Sequence, residues 1–249
     1  MESIERYREV IKADLWDEWD NLEKDQEKKI PQPPAQKPYP EEALLIDLVS
    51  PEDLTVGRMP LIETIQRRRS RRQYSTDPLT LEELSFLLWA TQGVTRNIHY
   101  GQTILRTVPS AGARHPFETY LLVNRVNELQ PGLYRYLSLE HQLCLLNTDK
   151  GLKERVHDAS NEQYVLGSAV VFIWTVIPHR SEWRYSLLAH KMVAQDSGHV
   201  CQNLYLACEA IGAGTCALGA YNQAKMDAVL GVDGDEEFTF YVAPVGRIE

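Results

Sequence analysis

Gly212-Ala213-Gly214-Thr215-Cys216-Ala217-Leu218-Gly219 is the stretch on which the fold turns, because its first six residues match Gly-x-Gly-x-x-Ala, a form of the dinucleotide-binding fingerprint. That fingerprint leaves a strand and opens a helix. Here the context is wrong: the stretch follows the longest helical pattern of the body, Tyr185 to Ile211, and runs on into Ala220 and Tyr221. A doubly wound dinucleotide domain is therefore set aside. A helix C-cap accounts for Gly212 but not for Gly214 and Gly219 close behind it.

Upstream, the pattern from Tyr185 to Ile211 is apolar around much of its circumference (Leu187, Leu188, Val193, Val200, Leu204, Leu206, Ala207). A helix of that length spans about 40 Å, which suits a central or subunit-interface helix buried on several sides. Ala169 to Val176 is a continuous apolar run, as expected of a strand covered on both faces. Tyr120–Asn124, Leu133–Leu137 and Leu143–Leu146 read as strands, the last two as a hairpin around Glu140 and His141. Downstream, a short helix opened by Asn222 and a strand from Phe238 to Val242 complete the pattern. Strands and helices alternate irregularly and include a hairpin, which indicates an α+β body.

The body begins near Pro60, which suits the first turn of a short helix carrying Leu61, Ile62 and Ile65. Thr80 and Glu83 form a capping box for a helix reaching about Thr91, and residues 93–116 read as a loop-rich stretch. Ahead of the body, Ile4, Tyr7, Ile11, Leu15, Trp19 and Leu22 predict an amphipathic helix over 3–29, and five prolines between Pro31 and Pro40 predict an extended linker. The expected organisation is an N-terminal arm and linker at 1–40, a connecting segment at 41–59 and one domain at 60–249. The arm's stripe lies on the chain's own core or on a neighbouring subunit.

Between the short helix and the capping box, residues 65–74 read Ile-Gln-Arg-Arg-Arg-Ser-Arg-Arg-Gln-Tyr, five arginines in a chain whose formal net charge is −9. A cationic cluster against the global sign needs an anion. With 35 acidic against 26 basic residues, the chain repels a polyanion nearly everywhere else, so nucleic acid is not expected. A solvated helix end is the bland alternative. No run of eighteen apolar residues occurs, and Met1 to Glu9 has neither the basic nor the apolar region of a signal peptide, so no membrane association is expected and the protein is placed in the cytoplasm. Cys144, Cys201, Cys208 and Cys216 read as reduced thiols, no zinc-type spacing involves His190 or His199, and Ser110 lacks the preceding glycine of a nucleophile elbow. No metal site is expected.

Four stretches in order, Arg68–Tyr74, Leu87–Arg96 with Arg106–Gly112, Gly198–Leu204 leading to Gly212–Gly219, and Pro244–Arg247, resemble the flavin-dependent nitroreductase family. Within it they look like the branch that includes the SagB- and ThcOx-type azoline oxidases of peptide natural-product pathways. The resemblance covers residues 60–249. It implies a three-layer α-β-α fold around a mixed, largely antiparallel sheet with a long central helix, in a homodimer carrying flavin mononucleotide (FMN) at the subunit interface.

It also implies roles. Arg68, Arg69 and Ser70 would hold the flavin phosphate, a dianion suited to guanidinium donors, with Arg247 as a second ligand, and Arg72 would lie near the pyrimidine edge. Pro109, Ser110, Ala111, Gly112 and Arg114 match a loop that reaches the opposite subunit's flavin. Cys216, Ala217, Leu218 and Gly219 match the segment along the ring, with a backbone N–H near Leu218 or Gly219 facing N5, and Gln163 matches a ring contact. Arg67 and Arg71 carry no assigned role. The implied chemistry is hydride transfer through flavin N5 in two half-reactions, with NADH or NADPH as donor and a nitro compound, a quinone or another small molecule as acceptor. Azoline oxidases instead carry a Lys-Tyr pair where this chain has Arg184-Tyr185. A guanidinium does not serve as general base, which leaves Tyr185 as the candidate catalytic residue. A non-catalytic flavin-binding protein of the same fold is the contrasting reading.

Overall fold

The computed structural model of the chain describes residues 4–98 and 103–248. The ends of the expected arm and domain, and the centre of the expected 93–116 loop, lie outside them. Seven strands form the main sheet: β1 (Leu45–Asp47), β4 (Phe117–Val123), β5 (Gly132–Leu137), β6 (Gln142–Asn147), β7 (Val170–Val176), β8 (Ala213–Thr215) and β9 (Phe238–Arg247). Their spatial order is β1-β6-β5-β4-β7-β9-β8. Every ladder is antiparallel, and the parallel component is confined to the single bridges Ser70–Thr215 and Leu79–Val126.

The apolar run at β7 explains the layering. Because side chains alternate along a strand, Phe172 and Trp174 pack against α3 (Leu81–Gln92) and α6 (Ala189–Ala210), while Val171 and Ile173 pack against α4 (Leu152–Ala159) and α7 (Gln223–Leu230). The outcome is an α-β-α sandwich with the long helix across one face. Two helix starts follow the sequence signals directly. The Thr80 hydroxyl accepts from the Glu83 N–H at 3.1 Å while the Glu83 carboxylate accepts from the Thr80 N–H at 2.8 Å, and Asn222 caps α7 through the Lys225 N–H.

Other expectations are corrected. The arm is not one helix over 3–29: α1 (Ile4–Glu9) gives way to a 3-10 helix at Asp14–Asn21. Three residues per turn place Trp16 and Trp19 in line, and their rings stack at 5.3 Å. The long helix does not begin at Tyr185 either. Residues His179–Tyr185 form α5, Ser186 breaks the path at φ 49°, ψ −131°, and a 3-10 turn leads into α6. Leu187 stands exposed before that helix, and His190, Ala194, Gln195, Gly198, His199 and Gln202 form an exposed stripe along it.

The 93–116 loop contains a small antiparallel ladder of β2 (Val94–Ile98) and β3 (Thr103–Arg106), and the last strand runs on to Arg247 rather than stopping at Val242. Part of the segment at 41–59 contributes β1 to the sheet edge beside β6. Pro60 is the N-cap of α2 (Leu61–Arg67), which delivers the chain to the arginine cluster. All four cysteines are buried free thiols. Among the described residues no helix is long and apolar enough to cross a membrane.

Candidate functional site

Beyond α2 the arginine segment lies along the sheet edge. Ser70 bridges Thr215, the Arg71 N–H donates to the Thr215 carbonyl at 2.9 Å, and the Ser75 N–H donates to the Arg247 carbonyl at 2.9 Å. This closeness explains a glycine that a helix cap could not. A Cβ at Gly214 would lie 2.4 Å from the Arg71 side chain, so only glycine lets the two backbones approach. The Tyr74 hydroxyl, between the carbonyls of Arg71 (2.9 Å) and Pro244 (3.0 Å), ties the segment to β9, and burial pushes its pKa well above the ordinary phenol value.

The arginines divide by partner. Arg67 pairs with Glu63 at 2.9 Å, and Arg71 lies 3.5 Å from the buried Glu209, whose carboxylate also accepts from the Arg69 N–H. Among the described residues, Arg68, Arg69 and Arg72 have no carboxylate partner. The Arg68 guanidinium sits over the Tyr205 ring at 5.4 Å, that of Arg72 over Tyr164 at 5.9 Å, and that of Arg69 donates to the Gln66 and Arg68 carbonyls. A cavity of about 390 Å³ opens between Ser70–Tyr74 and Ile248. Arg72 lines that cavity and Arg68 and Arg69 precede it closely in the chain, so the loop offers three guanidinium groups without a carboxylate among the described residues to a multivalent anion.

Tyr205 connects this loop to the glycine-rich segment: its hydroxyl lies 3.2 Å from Ser70 Oγ and accepts the Ala217 N–H at 2.9 Å. Of the two amides at the expected ring contact, that of Leu218 is committed to the Val242 carbonyl at 2.7 Å. Gly219 is exposed and no hydrogen bond engages its N–H among the described residues. Gln163 reaches the same segment by donating to the Ala220 carbonyl at 2.9 Å, whereas the Cys216 side chain is buried and offers only its backbone. Arg247 is paired with Glu83 and donates to the Ile211 carbonyl, so it braces the loop from beneath and already has a carboxylate.

The other expected residues gather elsewhere on α6. Ser110 Oγ donates to Asp196 at 2.6 Å and accepts the His115 N–H at 2.9 Å, while the Ala111 N–H reaches the same carboxylate at 3.3 Å. Burial raises the pKa of Asp196 and depresses that of His115 to about 3, the latter helped by the nearby Arg106, Arg114 and Arg180. Pro109 leads into this loop. Gly112, at φ 57°, gives way to Tyr185, whose hydroxyl would lie 2.5 Å from a Cβ there. Arg114 donates to the Gly112 carbonyl and covers the Trp183 ring. From Asp196 to Glu209 the helix rises about 20 Å, so one chain holds the two groups well apart.

Tyr205, Glu209 and Asp196 organise both groups and were not singled out from the sequence. Their signal was present: each is polar and lies on the same helix as the apolar stripe, with Tyr205 and Glu209 one turn apart.

A sequence model of the nitroreductase family matches residues 65–247. A protein of Methanocaldococcus jannaschii, provisionally named a nitroreductase, is 31% identical over 192 residues, 77% of this chain and 93% of that protein. The trifolitoxin-processing protein TfxB of Rhizobium leguminosarum bv. trifolii is 26% identical over 165 residues, 62% of this chain and 44% of that protein. Among solved structures, one from Anabaena variabilis, again provisionally a nitroreductase, superposes with a TM-score of 0.68 at 25% identity, over 84% of this chain and 42% of that one. The E. coli microcin synthetase McbBCD complex with truncated pro-MccB17 bound shares the fold, with a TM-score of 0.62 at 17% identity over 96% of this chain and 83% of that one. This chain thus spans less than half of the Anabaena and Rhizobium proteins. The Rhizobium relative supports the branch to which the four sequence stretches pointed. With the sheet order, the long helix and the arginine loop in place, the chain belongs to the nitroreductase family, whose members are flavin-type oxidoreductases.

Proposed function

We propose that the protein is an FMN-dependent oxidoreductase that works in the cytoplasm as a homodimer, with NADH or NADPH as donor and a small nitro, quinone or similar acceptor. The observation that carries this reading is the division of the arginines. Arg68, Arg69 and Arg72, matched to the flavin on sequence grounds, are the three of the five whose guanidinium has no carboxylate among the described residues, whereas Arg67 and Arg71, which had no role, are the two that have one.

The residues present fit the cofactor. Arg68, Arg69 and the Ser70 hydroxyl would hold the phosphate with charge-assisted hydrogen bonds, and Arg72 would place a cation at the pyrimidine edge, where negative charge develops on reduction. The Gly219 N–H is the donor left for the ring. When bound, FMN supplies a centre that accepts a hydride in one half-reaction and releases it in the next. The protein's part is to bind and orient, while Tyr185, beside the Ser110 loop, is the candidate to hold or deliver a proton.

Separation of the two residue groups along α6 supports the homodimer. Pro109–Arg114 and Tyr185 of one copy would complete the arginine site of the other, with Gly198, His199 and Gln202 of the exposed α6 stripe as part of the contact. A second reading, dehydrogenation of an azoline in a peptide-derived substrate, is favoured by the Rhizobium relative, whose name records trifolitoxin processing.

Purified protein reconstituted with FMN is expected to be yellow and to bleach on anaerobic addition of NADH or NADPH. Bleaching with neither nucleotide would redirect the assignment to azoline dehydrogenation or to a non-catalytic flavoprotein. Failure to take up FMN at all would end all three readings.

A further inference from the structure

Residues between Glu9 and Trp16 precede the region matched by the family and wall a cavity at the α5–α6 junction. It measures about 460 Å³, within the range of small-molecule sites. One side comes from the arm (Val10, Leu15, Trp16), the other from the α5–α6 junction (Leu187, Leu188, Met192). The lining is mostly apolar. Among its charged groups Lys12 is paired with Glu9 and His190 with Glu182, while Lys191 has no carboxylate partner among the described residues.

The junction is shaped for this wall rather than for helix continuity. Ser186 adopts a backbone conformation that residues with a Cβ rarely take, which interrupts the helix and leaves Leu187 exposed beside a half-buried Tyr185. Tyr185 contacts both the arm and the Ser110 loop: its ring lies 6.4 Å edge-on from Trp16 and 6.0 Å from Trp19, and its hydroxyl abuts Gly112. The arm's aromatic residues thus reach the same tyrosine that the candidate site uses.

We propose that the N-terminal arm is a specificity element, with Trp16 as its main contact, that receives the ring of a flat, apolar substrate bearing an oxygen at its edge. Stacking on Trp16 and contact with Met192, whose unbranched side chain adapts to shape, would hold the ring. Lys191 would face the oxygen. Assignment of the occupant to the redox substrate rests on the oxidoreductase reading above.

The test is calorimetric titration of the full-length, FMN-loaded protein with 2-methyl-1,4-naphthoquinone, alongside flavin content and sedimentation. Trp16→Ala is expected to raise the Kd about tenfold, and Trp16→Phe, which keeps a stacking surface, to restore most of the affinity. Equal affinity in wild type and Trp16→Ala overturns the proposal. So does an unchanged Kd with an altered sedimentation coefficient, which would make the arm a contact between copies. A wild-type protein that takes up no FMN yet binds the quinone through Trp16 would sink the oxidoreductase reading and leave the binding site standing.

Discussion

Two clusters of charge in this molecule are built from the same side chains and differ in what they leave free. At one end of the sheet Arg180 pairs with Glu118, both almost wholly buried, and the same carboxylate accepts the Lys37 N–H. Lys37 Nζ pairs with Glu237, whose carboxylate also accepts from Tyr120 (3.0 Å) and Thr175 (2.7 Å), and Arg135 donates to the carbonyls of Lys37 and Pro38. The proline-rich linker is fastened across the strands by charges that pair with one another, although Arg180 Nη1 and Arg135 Nε are buried without a hydrogen-bond partner among the described residues. At the other end Arg68, Arg69 and Arg72 have aromatic rings and backbone carbonyls but no anion. A closed network spends its donors on the fold, and an open one keeps them for a ligand.

That contrast can be broken by mutation. Arg180→Met leaves Glu118 buried without its cation and is expected to cost about 3–5 kcal/mol in urea unfolding. A loss below about 1 kcal/mol would mean that the network is not the fastening described. Arg68→Ala should do the reverse, weakening FMN binding roughly 10- to 100-fold in a fluorescence titration while the unfolding midpoint of the cofactor-free protein hardly moves.

His115 tests the cationic ground between the clusters. Its folded pKa is held near 3 by burial and by Arg106, Arg114 and Arg180, against an ordinary 6.5. The unfolded chain takes up that proton first, so stability is complete above about pH 6.5 and falls as the pH drops towards 3. Between pH 7 and 5.5 the expected loss is about 1.3 kcal/mol, and it should vanish in His115→Asn. Asp196, whose pKa burial raises, acts in the opposite direction and His141, whose pKa burial lowers, in the same one, so the figure is the difference between the wild-type protein and His115→Asn.

The smallest effect is expected at Arg67. Its exposed pair with Glu63 contributes little, so Arg67→Ala should shift stability by less than about 0.5 kcal/mol and leave FMN affinity unchanged. If it lost flavin as Arg68→Ala does, the distinction between paired and unpaired arginines would fail.

Local signals in the sequence were read well wherever neighbouring residues settle the outcome. The Thr80–Glu83 box, the Asn222 cap, the β5–β6 hairpin and the double-sided burial of β7 needed only periodicity and capping chemistry. The same periodicity misjudged the arm and the long helix. Spacing of three and four residues suits a 3-10 turn as well as an α-helix, and only the distant Tyr185 selects the former by packing against Trp16 and Trp19. Ser186 gives no sign that a helix stops there. At the site, the family resemblance picked out residues that the structure then sorted into two groups. Glu83 as the partner of Arg247, and Glu209 as that of Arg71, are pairings across 164 and 138 residues that no local rule exposes.

The place of β9 bears on how the protein matures in the cell. This strand lies between β7 and β8, although its residues follow both in the chain. A nascent chain grown through α7 already contains the arginines, Tyr205 and the glycine-rich segment, but β8 has no other strand to pair with, and the arginine loop lacks its ties to Pro244 and Arg247. Because β9 is made after both of its neighbours, the arginine loop gains its ties only once the residues up to Arg247 have been added. Uptake of the proposed flavin would then report that β9 is in place.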